Sequence, residues 1–230
     1  MVAGELQLVK DTFGNEAIFG GSYGWASAGR FHHANTQLKR FLNCHGGFVN
    51  QLHTYSIAAG LTLLPRILGD HRALRALTPW SEIRNHTQLF VAFGGLGTKN
   101  AQVLSGGPGE HVLGDWLPAL ARAGVEVVSV SPVRDDTVDA LNAEWLAPRP
   151  NTDTALMLGL AHTLVEEGLH DRAFLNRYCV GFERFERYLM GRDCGVPKSA
   201  DWASNICEVP AETIRALARR MASARTMIGT

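Results

Sequence analysis

The chain has no surplus of either charge. Its 22 lysines and arginines are balanced by 22 aspartates and glutamates, for a formal net charge of +0. A balanced chain offers no electrostatic footprint for nucleic acid or for an anionic membrane surface. Cysteine is scarce: Cys44, Cys179, Cys194 and Cys207 are the four in 230 residues, and none forms a CxxC pair. That usage carries no zinc or iron–sulfur signature and suits free thiols in a reducing compartment. No apolar run approaches the ~20 residues of a membrane helix, and no charged segment with an apolar core opens the chain as a signal peptide would. A cytoplasmic location is therefore expected, with the periplasm as the alternative. Both ends read as cut, because Leu6 to Lys10 resembles the tail of a helix and Arg225 to Thr230 resembles a strand just begun. The expectation is an internal piece of a longer protein.

Against those absences stands a hydrophobic content of 46%, enough for a globular core. The most informative stretch is Ala17-Ile18-Phe19-Gly20-Gly21-Ser22-Tyr23-Gly24-Trp25. Ala17 to Phe19 reads as a short buried strand. The glycines behind it permit a sharp bend or a close approach to a ligand. Ser22 then sits at a strand exit, where open α/β sheets place their ligands.

Further along, Arg30 to Asn43 has apolar residues at helical spacing and ends at Gly46-Gly47. A second helix is expected over 55–68, bent or interrupted by Pro65. Leu89 to Phe93 is an apolar strand running into Gly94-Gly95-Leu96-Gly97-Thr98-Lys99-Asn100, followed by a looser segment at 105–109. Residues 115–123 form an amphipathic helix and 125–130 a strand that ends at Ser131-Pro132-Val133-Arg134-Asp135-Asp136. Glu144-Trp145-Leu146 is a strand leading to Thr152-Asp153, and the nearly all-apolar helix 154–165 should be buried on most sides. The alternation predicts an α/β fold, a parallel sheet flanked by helices in three layers and resembling a dinucleotide-binding domain. Residues 1–68 are expected to belong to the domain carrying Ser22, and 69–230 to form the dinucleotide-binding-like domain, truncated at its C-terminal end.

Three glycine- or arginine-bearing strand exits in series suit a dinucleotide-sized ligand, since exposed backbone N–H groups and helix N-termini favour phosphate. Arg134 suits a phosphate, and Asp153 can accept two hydrogen bonds from a guanine edge. The same loops also suit an ordinary α/β domain that needs glycine for its turns. The nicotinamide pattern fails, because Gly95-Leu96-Gly97-Thr98-Lys99-Asn100 ends in asparagine and Ser131 occupies the ribose-binding acid's position. Gly20-Gly21-Ser22-Tyr23-Gly24 also fits the G-x-S-x-G elbow of serine hydrolases, with Asp153 and His170 as conceivable partners. Too little chain precedes Ser22 to hold the strands such an elbow normally follows. His32 and His33 are adjacent and point apart on a helix, and His162 lies in an apolar helix as core histidines do.

Several of these segments together resemble a known family. Ile18 to Trp25, Gly29-Arg30 with His32, Gly46-Gly47-Phe48-Val49, Tyr55-Ser56, Ser131-Pro132-Val133-Arg134, Pro150 to Gly159 and Pro210 to Ile214 are similar, in order, to the molybdopterin oxidoreductases of the dimethyl sulfoxide reductase type. Within them they look most like biotin/methionine sulfoxide reductases. The resemblance implies that Ser22 ligates molybdenum through its oxygen, a hard donor for a hard metal. It implies two molybdopterin guanine dinucleotides supplying the remaining ligands. Gly21, Ser22, Gly94, Gly95, Ser131, Arg134, Thr152 and Asp153 would contact the cofactor, with Tyr23 and Trp25 beside Ser22 on the substrate path. The implied reaction is oxygen-atom transfer from a sulfoxide, such as biotin or methionine sulfoxide, or an N-oxide to Mo(IV), giving sulfide and water. The implied partners are that small molecule, an electron donor and the rest of a longer chain. The sequence departs from the family pattern at Thr54, Ala58, Gly95-Leu96 and Ser131. The alternatives are a serine hydrolase using Ser22 or a non-catalytic α/β nucleotide-binding module.

Overall fold

The computed structural model describes residues 1–23, 31–54, 56–70, 77–101, 103–104, 107–108, 111–137 and 139–230. In chain order they form α1 (Val2–Phe13), β1 (Phe19–Gly20), α2 (Ala34–Cys44), β2 (Val49–Asn50), α3 (Ala58–Leu68), α4 (Trp80–His86) and β3 (Leu89–Phe93). There follow β4 (Val103–Leu104), β5 (Gly107–Pro108), α5 (Leu113–Arg122), β6 (Glu126–Val130), β7 (Glu144–Leu146) and α6 (Asp153–Glu166). The remainder is α7 (Arg172–Tyr178), α8 (Phe182–Leu189), α9 (Ala200–Cys207), α10 (Ala211–Ser223) and β8 (Thr226–Gly229). The chain divides into two compact units, Met1–Thr78 with Asn100–His111, and Pro79–Lys99 with Val112–Thr230.

The larger unit is built on a four-stranded sheet in the order β7-β6-β3-β8. Every neighbouring pair in it is parallel. Each strand's alternation explains its composition. Leu89, Val91 and Phe93 of β3, with Val128 and Val130 of β6, face the core made by Leu156 and Leu160 of α6, Ala203 of α9 and Ile214 and Leu217 of α10. Phe90, Ala92 and Val127 face the opposite core, with Ile83 of α4 and Leu117 and Leu120 of α5. A strand covered on both faces must be apolar throughout, which is why Leu89 to Phe93 reads as an unbroken run. The expected helix–sheet–helix arrangement is present. Helix α6 packs closely against α9, and Gly159 permits that approach: a Cβ there would sit 2.7 Å from the Ala203 Cβ.

In the smaller unit, β1 and β2 pair in parallel, Phe19 opposite Val49 and Gly20 opposite Asn50. Helix α2 connects them, making a small βαβ unit. Lys10 and Asn15 donate to the carbonyls of His45 (2.7 Å) and Gly47 (2.8 Å), tying the end of α1 to the loop behind α2.

Several local expectations need correction. Asn15–Ala17 is a 3-10 turn, not strand, and β1 begins only at Phe19. Helix α2 starts at Ala34 because the His33 side chain accepts from the Thr36 N–H and caps it, so the His32-His33 pair precedes the helix. Helix α3 starts at Ala58 and runs through Pro65 without interruption. Gly107–Pro108, within the segment 105–109 expected to be loose, forms β5 and pairs antiparallel with β4; the rest of that segment lies outside the described residues. Trp25, Arg30 and Tyr55 lie outside the described residues.

Candidate functional site

In the smaller unit, the carboxyl ends of β1 and β2 open into a pocket of about 510 Å³. Gly20, Ser22 and Tyr23 line it from behind β1, Asn50, Gln51, His53 and Thr54 from behind β2, and His33, Asn35 and Lys39 from the start of α2. The glycines are dictated by packing. A Cβ on Gly20 would collide with Leu42 of α2 and lie 2.6 Å from Phe48, and one on Gly21 would lie 2.7 Å from the Phe19 ring. Ser22 is half-buried, and the Asn35 amide donates to its carbonyl at 2.5 Å. Helix α2 thus fixes the backbone that carries the hydroxyl. Tyr23 is 49% exposed. Among the described residues the lining holds amides, hydroxyls, imidazoles and one ammonium but no carboxylate, so it presents donors to an anionic or oxygen-rich group.

In the larger unit, the remaining predicted residues fall at the carboxyl ends of three adjacent strands. Gly94 and Gly95 follow β3, Ser131 and Arg134 follow β6, and Thr152 and Asp153 follow β7 and open α6. The loops after β3 and β6 are locked together by Asp136, which the motif reading left without a role. Its carbonyl accepts from the Leu96 N–H at 2.9 Å. Its carboxylate accepts from the Ser131 hydroxyl at 2.8 Å and pairs with Lys99 at 2.9 Å. Gly95 has φ +75°, and a Cβ there would lie 2.6 Å from the Asp136 carbonyl oxygen. Trp145 adds a second brace, its indole N–H donating to the Ser131 carbonyl at 2.8 Å while Arg134 lies 5.3 Å over its ring. Ser131 is 1% exposed, so its hydroxyl serves Asp136 and the Val133 N–H. The Thr152 hydroxyl is likewise engaged, donating to the Arg149 carbonyl. The only sequence signal for Asp136 is a pair of acids inside a strand-exit run, and nothing in that signal says which loop the carboxylate meets.

Hydrogen bonds from Lys99 and then Ser131 hold the Asp136 carboxyl below the usual aspartate range, while the Asp136 hydrogen bond and charge raise the Lys99 ammonium. A depressed acid adds stability above its unfolded pKa and loses it as pH falls through the folded one; a raised base adds stability that disappears only as pH climbs through its own folded value. The loop lock is therefore intact across neutral pH and fails in acid. Asp136→Asn is expected to lower the urea midpoint between about pH 5 and 8, with the difference from the wild type shrinking as pH falls below the ordinary aspartate range. A midpoint difference that persists unchanged into acid would contradict this assignment.

The hydrolase alternative finds no support. Ser22 leaves a two-residue strand in a two-stranded sheet, not the central strand of a large one. Asp153 and His170 belong to the other unit, where the His170 ring meets the Leu164 carbonyl and the Phe182 ring. His162 is 2% exposed in α6, a core residue with Glu166 3.5 Å from its Nδ1.

Among the described residues no group of three His, Cys, Asp or Glu could hold a metal ion. The profile of the molybdopterin oxidoreductases matches residues 1–228. The chain belongs to the molybdopterin oxidoreductase family. It is 49% identical over 229 residues to a biotin sulfoxide reductase from Cereibacter sphaeroides, covering 99% of this chain and 31% of that protein. It is 42% identical over 228 residues to a dimethyl sulfoxide/trimethylamine N-oxide reductase from Rhodobacter capsulatus, covering 99% and 28%. The chain thus spans under a third of the length of these relatives. Acetylene hydratase from Pelobacter acetylenicus shares the fold, with a TM-score of 0.59 at 23% identity over 100% of this chain and 28% of that one. Family membership implies molybdenum and a molybdopterin. A donor-rich pocket whose described lining holds no carboxylate fits such a group.

Proposed function

We propose that this molybdopterin oxidoreductase chain is part of a reductase that removes the oxygen atom from a sulfoxide, such as biotin or methionine sulfoxide, or from an N-oxide. The observation that carries the proposal is Ser22, held by Asn35 at the carboxyl end of β1 in a pocket with no competing carboxylate among its described lining residues. The names of the relatives support the substrate class. When bound, the molybdenum–pterin group supplies the two-electron chemistry that turns sulfoxide, two electrons and two protons into sulfide and water. The protein's part is placement. The Ser22 hydroxyl would hold the metal as an oxygen ligand, giving up its proton as hydroxyls and waters do on a strongly charged metal. Gly21 leaves room beside it. Lys39 and the amides of Asn50 and Gln51 would hold the oxygen-rich body of the pterin. Tyr23 would line the approach of substrate, and Trp25, two residues on in sequence, belongs to the same reading.

The guanine dinucleotide form, two per metal, belongs to the same proposal. Its support is the row of loops at the carboxyl ends of β3, β6 and β7, where Gly94 and Gly95 let the backbone turn close to a ligand, Arg134 offers a guanidinium and Asp153 a carboxylate toward the nucleoside end, while Ser131 and Thr152, their hydroxyls bonded within the loops, shape them. The electron donor lies outside this chain's residues. No helix among the described residues is long and apolar enough to cross a membrane. Elemental analysis and acid release of nucleotide from the purified protein provide the test. About one molybdenum per chain is expected, with about two GMP per metal. A protein purified from a molybdenum-replete host with neither would sink the reading.

A further inference from the structure

We infer that Asp136, not Ser131, is the carboxylate that recognises the ribose hydroxyls of a nucleotide at this sheet. The inference rests on the nucleotide reading above and goes beyond it by naming the group and its partner. The strand order β7-β6-β3-β8 places the unit's first strand, β3, inside the sheet, with β6 and β7 wound to one side and β8 on the other. In sheets wound this way, the loop after the first strand meets the phosphates, and an acid at the end of the second strand binds the ribose. The second strand here is β6, and the residue at its end is Ser131, a neutral side chain that is 1% exposed and already bonded.

The carboxylate reaches the same place by another route. A 3-10 turn over Arg134–Asp136 folds the chain back so that Asp136 meets the Ser131 hydroxyl through one oxygen and Lys99 through the other. The Asp136 side chain keeps 18% of its surface open, while Ser131 is closed off. Each carboxylate oxygen accepts more than one hydrogen bond, so the contacts to Ser131 and Lys99 leave capacity for two ribose hydroxyls. Its backbone abuts Gly95, the residue that opens the loop after β3, and accepts from the Leu96 N–H. The carboxylate therefore stands beside the loop that this winding assigns to phosphate. Lys99, 56% exposed and carried by that same loop, places a cation next to it. Ser131 acts as a positioning residue that aims Asp136.

The test is isothermal titration of the full protein, purified free of cofactor, with GDP and with 2′,3′-dideoxy-GDP. The wild type is expected to prefer GDP by roughly ten-fold or more, the effect of losing hydrogen bonds to a charged acceptor. Asp136→Asn should erase that preference, whereas Ser131→Ala, which keeps the carboxylate, should retain most of it. A purely structural Asp136 would weaken both nucleotides equally and leave their ratio untouched. That result, or a wild type that binds GDP without preferring it, overturns the Asp136 assignment alone. A wild type that binds neither nucleotide overturns the nucleotide reading together with the inference.

Discussion

Ser22→Ala in the complete reductase should lower sulfoxide reduction by more than about 100-fold and change the electron paramagnetic resonance signal of the metal. Replacing a residue that merely supports a metal ligand commonly costs 10–100-fold, and removing the ligand itself should do more. The structural reason to expect a chemical effect, not unfolding, lies in the local packing. Ser22 is half-buried, and the bond that fixes it runs from Asn35 to its main-chain carbonyl, which alanine keeps. Gly20 and Gly21 occupy the tightest positions of that turn and are untouched. The thermal midpoint should therefore shift little. Among the described residues no cluster of other ligand types is available to take over. Full activity with an unchanged resonance signal in Ser22→Ala would remove the ligand assignment.

Gly95→Ala should destabilise the protein and weaken its hold on nucleotide, and Gly94→Ala provides the control. Both glycines have positive φ, +90° at Gly94 and +75° at Gly95, so alanine at either is expected to lose roughly 1–2 kcal/mol on backbone grounds alone. They differ in surroundings. A Cβ at Gly94 meets nothing within 4 Å, whereas one at Gly95 would come 2.6 Å from the Asp136 carbonyl oxygen and 2.7 Å from its Cβ. The neighbour there is main chain held by the Leu96 N–H, on a residue whose carboxylate is bonded by the Ser131 hydroxyl, so it cannot swing aside as a flexible side chain would. The urea midpoint should fall further for Gly95→Ala than for Gly94→Ala, and GDP affinity should fall with it. Equal midpoints would mean that the two loops separate easily and that the Asp136 lock is weak.

The parts legible in the sequence share a cause. The strand Leu89–Phe93 falls where its apolar run puts it, because a strand covered on both faces leaves an unbroken signature, and the edge strand Glu144–Leu146 also lies where expected. Helix α6 keeps its boundaries to within a residue for the same reason, its apolar residues being shared between the sheet and α9. Where burial is slight, local pattern misleads. Phe19 is 66% exposed, and the stretch before it is a 3-10 turn fixed by Asn15 reaching the loop behind α2, a contact 32 residues away in sequence. The true start of α2 depends on one imidazole accepting one N–H, which periodicity does not register.

The sequence by itself determined the class of fold, the family and the serine at a strand exit. These follow from composition, alternation and short motifs, all of which are local along the chain. Only the tertiary structure decided how the loops are joined. The winding order of the sheet, the burial of Ser131, and the convergence of Lys99, Leu96 and Ser131 on Asp136 join residues up to 40 positions apart. Such contacts arise when parallel strands align their carboxyl ends, and no repeat or spacing in the chain encodes them. Ser22 shows both sides of this division: its position in a glycine-rich turn is written in nine consecutive residues, whereas the pocket around it exists only because β1, α2 and β2 close on one another.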